Sequence, residues 1–173
     1  SGSCGTSVSS ANITVNPLPD AGIVSGTPVC VGATTTFTSN GDVAGTWISD
    51  NTAIATIDGT TGLVTGISAG STILSYKVVN GCGTAIATHI ITVNPLANAG
   101  TISGAATLCV GATTTYHSNG LSGGTWTSGT PGIATIDAAT GLITGVSPGI
   151  STITYKVTTP CGTATTHSDI TVI

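Results

Sequence analysis

Residues 29–93 read VCVGATTTFTSNGDVAGTWISDNTAIATIDGTTGLVTGISAGSTILSYKVVNGCGTAIATHIITV, and residues 108–172 read LCVGATTTYHSNGLSGGTWTSGTPGIATIDAATGLITGVSPGISTITYKVTTPCGTATTHSDITV. The two align without a gap at an offset of 79, so Trp47 falls on Trp126, Asp58 on Asp137, Tyr76 on Tyr155 and Lys77 on Lys156. Upstream, PLPDAGIVSG (17–26) matches PLANAGTISG (95–104), and SCGTSVSSANITVNP (3–17) matches GCGTAIATHIITVNP (81–95). A fixed long period is the mark of a repeat architecture in which each copy is one structural unit. The chain divides accordingly. Residues 1–16 read as the last strand of a preceding repeat, or as a strand donated to another subunit. A first repeat covers 17–94 and a second covers 95–173.

Composition points the same way. Only 5% of the 173 residues are charged, namely Lys77, Lys156 and six aspartates; Glu, Arg and Met are missing. Water-facing helices rely on Glu, Lys and Arg. Thr, Val and Ile lose rotamer freedom in helices and fit a pleated surface. The expected fold class is all-β: tandem seven-strand β-sandwiches preceded by one strand of a preceding repeat. In the first repeat the strands are predicted near 22–25, 34–39, 45–49, 53–57, 63–67, 72–79 and 84–93. Asn40-Gly41, Gly59, Gly62, Ala69-Gly70 and Asn80-Gly81 punctuate them. Trp47 and Trp126 are the expected core anchors, with Tyr76 and Tyr155. In the sixth strand Ile73, Tyr76 and Val78 compete for the core.

Several function classes drop out. A net charge of −4 with two lysines leaves nothing to neutralise a nucleic-acid backbone. No run of about 18 apolar residues exists to form a membrane-spanning helix. Six aromatic residues cannot build the two girdles of a membrane barrel. His89, His117 and His167 never coincide at the repeat offset, and no GxSxG elbow occurs, so no residue is singled out as catalytic. Asp42, Asp50 and Asp58 lack the DxDxD spacing of a calcium loop. Only Asp58 recurs, as Asp137, so these read as turn-forming aspartates. No metal and no cofactor is expected. The threonine runs 34–36 and 113–115 could present a flat face to ice or a crystalline polysaccharide, but Thr is also an ordinary exposed-strand residue.

The pattern W-x-S-x(4)-IATID-x-x-TGL-[VI]-TG-[IV]-S-x-G resembles the bacterial Ig-like domains of group 2. The added VCVG before the second strand and CGT before the last are similar to Ig-like or PKD-like repeats of large secreted Bacteroidota adhesins, SprB-like gliding-motility proteins among them. That resemblance implies an extracellular, cell-surface setting reached by type 9 secretion, with the leader removed or upstream of Ser1. It implies cell adhesion or a spacer role, further copies of the same repeat as partners, and a surface glycan as a further candidate. It carries no catalytic residues.

The cysteines are Cys4, Cys30, Cys82, Cys109 and Cys161. They lack metal-type CxxC spacing and read as disulfide formers in an oxidising compartment. In a sandwich of alternating strands, the loop holding Cys30 and the loop holding Cys82 lie at opposite ends. A strand of six residues spans about 20 Å, while bridged Cα atoms sit about 4.4–6.8 Å apart. Head-to-tail stacking instead favours Cys30–Cys161 between repeats, with Cys4, Cys82 and Cys109 pairing outside the chain. Pairing within each repeat, Cys30–Cys82 and Cys109–Cys161, stands as the alternative. The function expected is a non-catalytic structural or adhesive segment of an extracellular filament that assembles into fibres. A polysaccharide- or ice-binding module and a donor-strand-assembled, pilus-like subunit are the alternatives.

Overall fold

β-branched residues and short Gly, Asn and Asp turns give a succession of strands in a computed structural model that describes residues 4–6 and 8–173. The first unit holds β1 (Val24–Ser25), β2 (Val29–Cys30), β3 (Thr34–Thr36), β4 (Thr38–Ser39), β5 (Thr46–Ser49), β6 (Ala55–Ile57), β7 (Leu63–Gly66), β8 (Gly70–Asn80) and β9 (Gly83–Asn94). The second repeats them as β10 (Ile102–Ser103), β11 (Thr107–Leu108), β12 (Thr113–Thr115), β13 (His117–Ser118), β14 (Thr125–Ser128), β15 (Ala134–Ile136), β16 (Leu142–Gly145), β17 (Gly149–Thr159) and β18 (Gly162–Val172). No described residue is helical.

Each unit is a sandwich. In the first, a sheet ordered β2-β9-β8-β5 faces a sheet ordered β3-β7-β6, and β1 pairs with β4 at the side. Alternation along the strands sends Leu74, Tyr76 and Val78 of β8 and Ile91 and Val93 of β9 inward, against Ala55 and Val64 of the opposite sheet. Leu74, Ala55 and Val64 are fully buried. A buried side chain of Leu size contributes about 1.5–3 kcal/mol. The second unit has its own cluster, with Leu108, Tyr116, Trp126, Ile143, Ile153 and Ile170 among its members.

Four expectations change on contact with the structure. Each unit contains nine strands rather than seven. The predicted second strand breaks at Phe37: β3 pairs with β7, while β4 crosses to β1. The crossing places the Phe37 ring in the core with its amide donating to the Gly62 carbonyl at 2.9 Å. The VCVG segment, read as a lead-in, forms β2 and pairs parallel to β9, Val29 with Val93 and Cys30 with Asn94. Ile73 faces outward at 40% exposure, because Thr72, Leu74, Tyr76 and Val78 set the inward register of β8.

The leading strand was expected over 1–16. Residues 1–3 and 7 lie outside the described residues. Residues 4–6 and 8–16 make no strand pairing within this chain, and Val8, Ile13 and Val15 are exposed.

Candidate functional site at the repeat junction

The longest element in each unit is the hairpin β8–β9 or β17–β18. Eleven residue pairs join β8 to β9, from Gly70↔Val93 to Asn80↔Gly83. The tips are two-residue turns, Gly81-Cys82 and Pro160-Cys161, so each hairpin presents one cysteine at its end. The amide of Cys161 donates to Thr159 Oγ1 at 3.1 Å, and that of Cys82 to Asn80 Oδ1 at 2.8 Å.

The other cysteine of each unit sits at the opposite end. Cys30 is in register with Asn94, the last residue of β9, whereas Cys82 immediately precedes Gly83, the first. Eleven steps at about 3.3 Å separate those positions by roughly 36 Å. That is several times the reach of a disulfide. Stacked head to tail, the tip of the second hairpin arrives at the end of the first unit. Cys30 and Cys161 are bonded there, with a Cα–Cα distance of 5.8 Å. The Cys161 sulfur lies 3.6 Å from the Asn94 carbonyl, which also accepts from Val31 N at 3.1 Å. With its sulfur in the bridge, Cys161 has no S–H to donate, so that approach is packing.

The turn carrying Cys30 is tightly built. Ala33 N donates to the Cys30 carbonyl at 3.0 Å, and Gly32 N to Gly66 O at 2.8 Å, with Gly32 at φ 80°. Gly66 lies under this turn, where a Cβ would come within 2.7 Å of the Cys30 carbonyl oxygen. Cys109 is presented in the same way. Ala112 N donates to its carbonyl at 3.1 Å, Gly111 N to Gly145 O at 2.9 Å, and Val110 N to Ile173 O at 3.0 Å. At the other end Cys82 copies Cys161: its sulfur lies 3.5 Å from the Asn16 carbonyl, and Asn80 Nδ2 donates to Pro17 O at 3.1 Å. Cys4, Cys82 and Cys109 are exposed free thiols.

The ring pairs lie away from the junction. Trp47 packs on Tyr76 with centroids 4.6 Å apart, and Trp126 on Tyr155 at the same distance. The Tyr76 hydroxyl donates to Asp42 O at 2.7 Å and accepts from Gly45 N at 2.9 Å; Tyr155 does the same with Leu121 O and Gly124 N. This clamp on the loop before β5 escaped the sequence reading. The glycine two residues before each tryptophan was its signal, since a Cβ at Gly45 would meet the Tyr76 ring at 2.3 Å.

One internal contact differs between the units. Phe37 meets His89 edge-on at 5.5 Å. In the second unit Tyr116 and Ser168 take these places, and the Tyr116 hydroxyl donates to Ala105 O at 2.9 Å. Burial, the largest influence, raises the Tyr116 pKa above its ordinary value despite a hydrogen bond with Ser168.

The titratable residues do not assemble a reactive centre. His89 is a packing residue, His117 is exposed on β13, and His167 is exposed on β18 opposite Thr154. Asp58 Oδ1 accepts from Thr61 N at 2.7 Å, Thr61 Oγ1 at 2.9 Å and Thr60 N at 3.0 Å. These bonds, led by that from the Thr61 amide, hold its pKa below the ordinary value, and Asp137 repeats the arrangement with Thr140 and Ala139. Asp42 Oδ2 accepts from the Asp20 amide at 2.9 Å. Among the described residues no three His, Cys, Asp or Glu side chains converge on a metal-sized site, and no helix is long and apolar enough to cross a membrane. A shallow depression of about 460 Å³ lies beside Tyr116, Trp126 and Tyr155, whose side chains are themselves buried.

The family profile described as bacterial Ig-like domain (group 2) matches residues 8–85 and 87–166. No curated protein matches the chain. Among solved structures, it is similar to a C-terminal fragment of intimin in complex with the intimin-binding domain of its translocated receptor. The identity is 18% over 86% of this chain and 63% of that one, with a TM-score of 0.49. A SusE-like, surface-located polysaccharide-binding protein of Bacteroides thetaiotaomicron is 15% identical over 85% of this chain and 32% of that one, TM-score 0.31. The surface layer protein SbsC, domains 1–6, is 22% identical over 81% and 23%, TM-score 0.31. The chain thus spans less than two thirds of each.

Proposed function

The chain belongs to the bacterial Ig-like domains of group 2, and from that premise we propose that it is a segment of an extracellular filament whose successive domains are laced together by disulfides. The observation that carries this reading is the repetition of the junction. Cys109 is held as Cys30 is, and Cys82 as Cys161 is, so the chain exposes one unfilled half of the same joint at each end. In a longer array Cys82 pairs with the preceding unit and Cys109 with the following one. Cys4, matching Cys82 at an offset of 78, belongs to the hairpin tip of the unit before. Residues 1–16 supply the last strand of that unit. Disulfides persist in oxidising compartments, which fits a secreted, cell-surface location. Export by the type 9 route and a gliding-motility role of the SprB kind extend the same reading, with no catalysis required.

The test is assembly. Mild oxidation of the purified chain should give a ladder of covalent oligomers on a non-reducing gel, with a Cys82–Cys109 peptide in the digest. C109S should abolish the ladder, since no Cys82–Cys109 bond can then form, and C4S should leave the ladder intact. Dimers joined only through Cys109–Cys109 would refute head-to-tail growth.

A lateral contact between filaments has its own support. On the outer face of the first unit Ile48, Ile73, Val79, Ile86 and Ile90 are 40–64% exposed, with Ile73 directly opposite Ile90. The matching positions of the second unit are Thr127, Thr152, Thr158, Thr165 and Asp169. An apolar strip on one unit alone suits a contact with a second copy of this chain. Low charge keeps repulsion between neighbours small.

A further inference from the structure

The junction disulfide determines how the chain carries tension. We propose that Cys30–Cys161 makes this chain a tether that scarcely lengthens when pulled from its two ends, because the covalent path under tension bypasses most of both sandwiches. Force entering before Pro17 reaches Cys30, crosses to Cys161 and leaves along β18 to Ile173. The backbone between the two cysteines, a separation of 131 residues, is a closed loop without tension along it. That loop contains β3 to β9, the Asn94-Pro95 linker and β10 to β17.

What remains on the path is short or already stretched. β1 and β2 have two residues each. β18 begins at Gly162, directly after the bridged cysteine, and runs eleven residues. A strand rises about 3.3 Å per residue against a limit near 3.6 Å, so it yields about a tenth of its length. The pull also runs along the axis of β18. It does not peel its pairs with β17 one by one from either end. Without the bridge the same force passes through both sandwiches in series. Unfolding them would then free about 131 residues at roughly 3.3–3.6 Å each, on the order of 45 nm of chain.

In a longer array this picture rests on the filament reading above. There the bridges define two interleaved threads. One thread runs from a hairpin-tip cysteine along the last strand, through the linker and into the next unit's first cysteine, as from Cys82 to Cys109, a separation of 109 − 82 = 27 residues. It then crosses a bridge to the unit beyond. Each thread thus advances two units on about 90–97 Å of nearly extended chain plus one bridge. The two threads alternate, so every unit has its last strand on one and its first cysteine on the other.

The experiment is single-molecule stretching of the full chain between terminal tags, in a C4S/C82S/C109S background that keeps the other thiols out. Peptide mapping of the same material should show Cys30–Cys161. The oxidised chain should show no unfolding step up to forces that rupture ordinary sandwiches. Reductant, or additional C161S, should restore two steps that together release roughly 40 nm or more. Oxidised material that maps as Cys30–Cys161 yet releases the same length as C161S would overturn the inference and leave the assembly reading standing. Absence of the Cys30–Cys161 peptide would overturn it too. Inextensible chains in this background, together with an unsubstituted chain that never oligomerises through Cys82 and Cys109, would sink the filament reading alone.

Discussion

Cys161→Ser opens a covalent loop of 131 residues that spans both sandwiches. With the chain-entropy expression for a cross-link, a loop of that length disfavours the fully unfolded chain by about 5 kcal/mol at 25 °C. The more telling quantity concerns half-unfolded states. If only the second unit opens, Cys30 stays beside Asn94, and the closed loop runs from Asn94 to Cys161, or 161 − 94 = 67 residues. If only the first opens, Cys161 stays beside Asn94 and the loop is 94 − 30 = 64 residues. Each of those states is disfavoured by about 4.3 kcal/mol, yet opening both adds only about 0.6 kcal/mol more. The bridge therefore penalises independent unfolding about a thousandfold and leaves concerted unfolding relatively easy. In calorimetry the oxidised chain should melt in one transition, with van't Hoff and calorimetric enthalpies equal. C161S should melt in two, the pair lying about 10–20 °C lower at 2–4 °C per kcal/mol for a chain of this size. An unchanged melting temperature with an unchanged enthalpy ratio would refute the reasoning, since neither loop closure nor coupling would then be at work.

Tyr76→Phe removes the hydroxyl that ties Asp42 O and Gly45 N. It should destabilise the first unit by about 1–3 kcal/mol, leaving the second unit's melt in a C161S background untouched. Asp58 and Asp137 have folded pKa values lowered from 3.8, so their stabilisation is complete above the unfolded value and is lost as pH falls through the folded one. Thermal melts from pH 5 to pH 2 should show that loss, and D58N/D137N should flatten it. An identical acid slope in the variant would remove those carboxylates from the account. Ile73→Thr with Ile90→Asp places the second unit's residues at the paired centre of the first unit's apolar strip and should reduce lateral bundling in electron micrographs and in sedimentation. Bundles of unchanged width would place the contact elsewhere.

Much of this was legible because the chain contains two versions of itself. The offset of Trp47 to Trp126, the turn signals and the lack of helix-surface residues point to tandem sandwiches without any coordinates. Two-residue pairings such as β2 on β9 leave no periodicity to detect, and the break at Phe37 leaves the strand's alternation intact. The outward position of Ile73 was hidden for a different reason. β8 and β9 of the first unit carry aliphatic residues on both faces, so alternation alone could not tell inside from outside. The second copy held the answer, since Thr152, Thr165 and Asp169 could not all sit in a core. The opposite ends of Cys30 and Cys82 follow from strand direction, and head-to-tail stacking favours Cys30–Cys161, but the register of one unit on the next, with its Cα separation of 5.8 Å, needed three dimensions.

The exchange of Phe37 and His89 for Tyr116 and Ser168 bears on a hazard that neighbours of such close sequence face during folding. A newly made β9 and a newly made β18 are near enough alike to dock in each other's place, which would tangle two domains into one trapped dimer of halves. Wrongly inserted, β9 would set an imidazole in the place that Ser168 takes beside Tyr116, and β18 would remove the imidazole that Phe37 meets edge-on. Each copy thus carries an internal password for its own final strand. S168H, which erases the difference on one side, should lower the yield of correctly refolded chain.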